Sequence, residues 1–421
     1  MNNPLGTVLR TAVETDAAAF DRLRAEWDAL LDRSAQQSYF LRPEWNRLWW
    51  KHHAPQGAQL YLITCRNQHN ELVGLAPLYW RQCRLAGLPM VRELLFLGMG
   101  IELKSSEYMD LIARRGDEAR VAAAIAGRLR QCRDWDRIVL WQVPRTSAVL
   151  PHYSRSIRTQ SECLDCDRAP YIDTTVGWHN YKASLGRSMR RNVEYYARRL
   201  FRRYACEFTC VSDGAELEQA MDALIRLHQA RWQSQGEPGV FATAGVAELI
   251  WDAARVSLPQ GRVRLWTLTI DGTIEAALVG FLDNGVLHYF QKGFNPAYAH
   301  EDIGTAMLAL CIRDCFEDPA VRAFDFMGGG AAYKDRWTHL ARDTVAYRTV
   351  RHNLRTSLET AWTVAVAALA RVYRTLAPES LRKARVHWLR KRRLRQAAQL
   401  SRTPSSLPLH DPRKPSPLAT D

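Results

Sequence analysis

Residues 286–337 restrict the fold more than any other stretch of the chain. The segment 286–293, VLHYFQKG, is an alternating, aromatic-rich run that reads as a strand, and Pro296 with the polar residues to Asp302 breaks it. From 303 to 316, Ile303, Met307, Leu310 and Cys311 share one helical stripe. Residues 321–327, VRAFDFM, read as a second short strand closed by Gly328-Gly329-Gly330. Strand, helix and strand in this order form a crossover unit, with its two strands parallel in one sheet. Ligand sites in such sheets gather at the strand C-termini and the helix N-terminus. Here those places are 291–293, 302–305 and 328–337.

A hairpin precedes this unit: 262–270, a turn at Asp271-Gly272, and 273–282. An earlier stretch resembles it. LYLITCRNQHNELVGLAPLYW and VRLWTLTIDGTIEAALVGFLD share an apolar strand, a polar turn and a glycine within the second strand. The earlier copy is also followed by a strand at 94–100, an alanine-rich helix at 117–132 and a strand at 137–143. Two copies of one α/β unit are therefore expected, joined by a polar connection at 145–168. A chain of 421 residues is too long for one ordinary core and suits two. Further helices are expected after Thr15 or Asp16, from Pro43, from Asp213, over 246–256, and as one strongly basic helix from Ser184 to 200.

Composition excludes some classes. At 47% hydrophobic and 24% charged residues the chain is of the soluble globular kind. Nine scattered cysteines fit a reducing compartment. Cys163 and Cys166, with Cys206 and Cys210, lack the ligand spacing of a zinc site, so no metal is expected. The N-terminus lacks a signal-peptide layout, and the longest uncharged apolar run, 361–370, is about half the ~20 residues a spanning helix needs. A cytoplasmic protein is expected. The net charge of +14 favours a phosphorylated ligand, a nucleic acid or an anionic membrane. Much of it lies in 182–203 and 383–395. Residues 354–376 read as an Ala/Val-rich helix, and 381–395 are basic with Leu381, Trp388 and Leu389 interleaved, a composition able to rest on an anionic membrane. The Pro/Ser-rich end, 401–421, is expected to be disordered.

Several motifs carry a family resemblance. The repeated hairpin, GFNPAYA ahead of a glycine-containing helix start, and YKDRW after FDFMGGG resemble GNAT-superfamily acetyltransferases of the type associated with bacterial cellulose biosynthesis. SLGRSMRRNVEYYARRL and HQARWQSQG are similar to that family too, and the likeness covers roughly 20–350. The family is similar in fold to the Fem-type peptidyltransferases, which carry two GNAT-like domains and take aminoacyl groups from tRNA. The resemblance implies an α/β fold of two tandem GNAT-like domains, 1–168 and 169–350, each a mixed twisted sheet flanked by helices; it leaves out the tail, whose composition reads as helical and basic over 351–400. It implies an acyltransferase using acetyl-CoA, with the transfer site in the second domain. The acceptor would be an amine of a small molecule, a sugar or a cell-envelope or polysaccharide precursor. Aminoacyl-tRNA is the alternative donor, and a non-catalytic, membrane-associated scaffold is a third reading.

Acyl transfer to an amine needs a base, stabilisation of the oxyanion and a proton for the leaving group. Lys334, after the glycine run, is a candidate for meeting an oxyanion or phosphate, as the resemblance to Fem-type enzymes also implies. Tyr333 could protonate a leaving thiolate. Asp325, an acid inside an apolar strand, needs a partner, for which Arg336 or Lys334 is expected. Glu275 is a candidate general base. Gly304 and Thr305 at the helix start, with Gln291, are candidates for holding the donor. Glu301 and Asp302 must point away from any diphosphate there. His228, Arg231, Trp232 and His288 are candidates for contacting the acceptor, and Arg187 and Arg191 for an anionic group on it.

Overall fold

Each half of the chain lends its last strand to the other, and this exchange joins the two into one sheet. The computed structural model describes residues 8–376 apart from 86–87, 101–105 and 331–332. The first half contributes β1 (Arg10–Glu14), β2 (Gln59–Arg66), β3 (Leu72–Leu85), β4 (Leu88–Phe96), the short β5 (Ile112–Ala113), β6 (Arg137–Pro144) and β7 (Ser161–Asp173). The second contributes β8 (Cys206–Cys210), β9 (Val263–Ile270), β10 (Thr273–Asp283), β11 (Val286–Phe294), β12 (Ala323–Asp325) and β13 (Ala341–Val350). The sheet order is β1-β2-β3-β4-β6-β13-β7-β12-β11-β10-β9-β8, with β5 beside β3. Thus β13 pairs with β6, and β7 pairs first with β13 and then, through Tyr171, Ile172 and Asp173, with β12. The expected division between 168 and 169 falls inside this shared strand.

Both expected crossovers form. β4 and β6 are parallel across helix Glu118–Gln131, and β11 and β12 are parallel across helix Ile303–Glu317. Both hairpins form as well. The architecture is a mixed α/β fold: one open sheet with helices on its faces. Helix Ala19–Asp32 buries Phe20, Leu23, Trp27, Leu30 and Leu31 on one stripe, as its periodicity requires. A first core gathers Trp27, Trp45, Trp49 and Phe96 with Phe281 and Leu249 from the second half. A second core packs Leu278, Leu287 and Phe324 of the sheet against Met307, Cys311 and Ile312.

Other elements differ from expectation. The connection at 145–168 is helix Leu150–Ile157 plus most of β7, whose first residues are exposed on their faces and carry no apolar alternation to announce a strand. The single basic helix from 184 to 200 is three pieces: Trp178–Ser184, Arg187–Asn192 and Tyr195–Arg203. The chain breaks at Leu185 and Val193 because both turn into the second core. The strand expected at 94–100 is Leu88–Phe96, and that at 321–327 shortens to Ala323–Asp325. The basic run 381–395 and the end 401–421 lie outside the described residues. Among the described residues no helix is long and apolar enough to cross a membrane.

Candidate active site

A bulge in β11 builds the floor of the site. His288 pairs with Phe281 and Tyr289 with Gly280, but Gln291 pairs with Val279, so Phe290 is an extra residue. A bulge breaks the alternation of faces. Tyr289 and Lys292, three residues apart, therefore both reach Tyr333: the Tyr289 hydroxyl lies 3.5 Å from that of Tyr333, and the Lys292 ammonium 5.6 Å from the Tyr333 ring centroid. Lys292 donates to the Gly304 carbonyl at 3.0 Å. Burial, with the Arg231 charge adding, pushes its pKa down to about 7. A lysine in that state is available as a neutral base near physiological pH.

The helix Ile303–Glu317 opens onto this floor. Asp302, at φ 56°, turns the chain so that Thr305 and Ala306 donate to its carbonyl and the first turn faces the cleft. Helix N-termini present N–H groups and the positive end of the dipole. Gly304 allows the close seat, since a Cβ there would lie 2.8 Å from the Phe294 ring. Glu301 is buried and turned the other way, with Arg199 at 2.9 Å and Arg203 at 2.7 Å from its carboxylate. Asp302 stays at the cleft, 3.8 Å from Arg199. The cleft measures about 680 Å³; Arg187, Arg231, Lys292, Gly304, Thr305, Tyr333 and Arg336 line it. Burial raises the Tyr333 pKa, keeping its hydroxyl protonated. Arg231 stacks on Phe294, 4.9 Å from the ring centroid.

The other expected site residues have different surroundings. Lys334 is absent from the cleft lining; its ammonium donates to the carbonyls of Phe326 at 2.7 Å, Met327 at 3.0 Å and Gly328 at 2.5 Å. It clamps the turn that ends β12, where Met327 adopts φ 59°, a left-handed conformation costly for a side-chain-bearing residue. Asp325 is fully buried, and its partners are neither Lys334 nor Arg336. It accepts from the Tyr108 hydroxyl, with 2.9 Å to each carboxylate oxygen, and from Met327 N–H at 2.7 Å, and it pairs with Arg342. Its burial raises its pKa against the pull of Arg342. Glu275 accepts from Asn295 at 2.8 Å and braces the turn after β11, away from the cleft. Gln291 lies off the cleft because the bulge gives that face to Lys292. His288 faces Phe40 and Tyr108 of the first half, and burial lowers its pKa to about 3. His228 packs edge-on to Phe241 under the same influence, with its pKa lowered to about 4, and Trp232 stands beside it. Arg191 is exposed and not part of the lining. Among the described residues no group of three or more His, Cys, Asp or Glu is placed to hold a metal.

Residues 187–335 match the acetyltransferase (GNAT) domain. That stretch of the second half is similar to a GNAT domain, and the match spans the cleft residues just described from Arg187 to Tyr333. No curated protein matches the chain. Among solved structures, FemX is similar at TM-score 0.58 and 9% identity, over 83% of this chain and 99% of that one. A conserved protein of unknown function from Bacteroides thetaiotaomicron is similar at TM-score 0.51 and 9% identity, over 81% and 100%. The C-terminal DUF2156 domain of a candidate lysylphosphatidylglycerol synthetase from Agrobacterium fabrum is similar at 0.50 and 11% identity, over 82% and 95%. At these identities the likeness is one of fold, and it extends across both halves.

Lys292 lies within 291–293, one of the places where a ligand site is expected, but the sequence pattern did not single it out over Gln291. Strict alternation assigns it to the face opposite Tyr289, and the signal that could have exposed it was a lysine in an otherwise aromatic strand next to Gly293.

Proposed function

We propose that the protein is an N-acyltransferase, taking an acyl group most simply from acetyl-CoA and passing it to an amine in this cleft. One observation carries the reading: a buried lysine, its pKa lowered to about 7, on the floor of a cleft at the open start of the crossover helix. The residues present suit a coenzyme A donor. The first turn from Ile303, with Gly304 and Thr305, would hold its diphosphate, and Glu301 is turned away from that position by Arg199 and Arg203. The donor supplies the acyl thioester. Neutral Lys292 accepts a proton from the acceptor ammonium, freeing the nitrogen to form the new C–N bond. Tyr333 gives its proton to the departing sulfur and regains one from the same nitrogen, so the amide and the free thiol form with Tyr333 restored and one proton gained on Lys292, which returns to solvent. Arg187 and Arg336 at the rim favour an acceptor with an anionic group. The kinship noted above makes a cell-envelope or polysaccharide precursor the class to try first, on the cytoplasmic side of the membrane.

A second donor has an observation in its favour. The loop before the helix, 300–305, holds one glycine, fewer than a pyrophosphate loop with several inward-facing amides uses, and the FemX likeness spans both halves. Aminoacyl-tRNA is that donor. Purified protein incubated with amino sugars and labelled acetyl-CoA, and separately with charged tRNA, decides between them. Label transferred from acetyl-CoA and lost in Lys292→Met supports the first reading; transfer only from tRNA replaces it with the second. Transfer from neither removes both and leaves the scaffold reading.

A further inference from the structure

The helix Leu354–Leu376 leaves the body of the protein almost as soon as it starts. Thr356 is buried, Glu359 pairs with Arg137 at 2.7 Å, and Arg355 stands 3.6 Å from Asp136. From 360 to 366 every residue is exposed. Leu354, Leu358, Trp362 and Val366 follow one another at four-residue steps, with Leu369 three further on, so all five lie within about 120° of the helix circumference at 3.6 residues per turn. Exposure along this stripe is 75% at Leu354, 49% at Trp362 and 68% at Leu369. Arg355, Thr356 and Glu359 tie only the first turns to the body; beyond Glu359 the helix stands clear of it, leaving Trp362, Val364, Val366 and Leu369 uncovered, the reverse of a helix packed on a core. An exposed apolar stripe of this length marks an interaction surface.

The chain itself indicates what covers it. Directly downstream, residues 381–395 hold eight Lys or Arg and no Asp or Glu. A second copy laid parallel on the stripe would bring two such runs together and repel, and an antiparallel one would leave them without a counter-charge. An anionic bilayer satisfies both features, taking the Leu and Trp side chains among its acyl chains and the cations at its phosphates. The helix carries Arg355, Glu359, Arg371 and Arg374, which suits lying in the interface and not crossing it. We infer that Leu354–Leu376 is an in-plane anchor that docks this protein on an anionic lipid surface. The inference stands apart from the transferase reading.

Cosedimentation of the full chain with vesicles tests it, using phosphatidylcholine alone and phosphatidylcholine with phosphatidylglycerol. The native chain should bind the anionic vesicles and not the neutral ones. Leu358→Glu with Trp362→Glu, both at exposed positions, should weaken that binding at least tenfold while the melting temperature stays unchanged. Absence of vesicle binding overturns the inference. Undiminished binding by the double variant overturns it too, since the basic run alone would then account for attachment. A dimer in light scattering that the same variant dissociates would assign the stripe to a second copy and overturn it as well.

Discussion

Both halves set a helix between two parallel strands, yet the two helix starts are treated in opposite ways. At Glu118–Gln131 the preceding acid, Asp117, is buried and held by Arg114 at 2.8 Å and Arg120 at 2.7 Å. The chain that follows β4 folds back into the interior there, burying Ser106, Glu107 and Asp110. At Ile303–Glu317 the buried acid, Glu301, is drawn to the far side by Arg199 and Arg203, and the strand end leads to a cleft. One topology thus yields a closed end that braces the junction and an open end able to receive an anion. The same fold gives two different helix starts, and the direction in which a buried carboxylate is pulled is one difference between them.

Removing Lys292, the base proposed for the open half, should have the largest effect. Lys292→Met is expected to lower kcat/KM by on the order of 100-fold or more, the scale of a general base. In the native protein kcat/KM should rise with pH through about 7, as the amine loses its proton, and the variant should lack that rise. Lys292→Arg should not restore it, because a guanidinium stays charged. Steady-state rates across pH 5.5–8.5 check this, about one and a half units either side of the expected pKa. An unchanged profile in Lys292→Met would return both helix starts to a purely structural standing.

Next comes the junction itself. Asp325→Ala leaves the Tyr108 hydroxyl and Met327 N–H without their acceptor and Arg342 without its partner. A loss of about 3–5 kcal/mol is expected on removing one side of a buried ion pair. Denaturant unfolding measures it, and a loss below about 1 kcal/mol, the scale of an exposed ion pair, would mean the two halves are not coupled here.

The helix glycines offer a smaller, paired contrast. Gly304→Ala puts a methyl 2.8 Å from Phe294 and should destabilise by about 1 kcal/mol or more while weakening donor binding. Gly127→Ala, in the closed half's helix, meets nothing nearer than Arg130 at 3.9 Å and should gain up to about 1 kcal/mol from helix propensity. Thermal melts of the two variants should move in opposite directions.

Smallest is a pH effect at Glu107, which accepts from the Gly328 N–H across the junction at 2.7 Å. Burial pushes the Glu107 pKa up to about 7, above the ~4.3 of an unfolded chain. Between those values the folded chain keeps a proton that the unfolded chain has released, so this part of the stability is present at low pH and lost as pH rises through about 7. Melting temperatures of the native protein and Glu107→Gln should diverge as pH rises from 5 to 8, by a few degrees in favour of the variant, about the shift a 1 kcal/mol change produces. A constant difference would show that Glu107 is ionised throughout.

Much of this was legible along the chain. The hairpins, both crossovers, the helix start at Gly304 and the cleft residues Tyr333, Arg231, Arg187 and Arg336 follow from periodicity, turn residues and motif position. Asp325 was recognised as needing a partner, but Arg342 could not be chosen over Lys334 or Arg336, because strand exchange brings β13 to β7 from far along the chain. β7 itself escaped notice because its pairing, and not its side chains, makes it a strand.

Local patterns therefore determined most of the helices, both hairpins and both crossovers, since these depend on neighbours a few residues away. The tertiary structure alone decided the exchange of β7 and β13, the turn of Glu301 toward Arg199 and Arg203, and the bulge that places Lys292 beneath the cleft. Each of those depends on pairing or charge contacts between elements remote in the chain, which leave no period in the sequence to read.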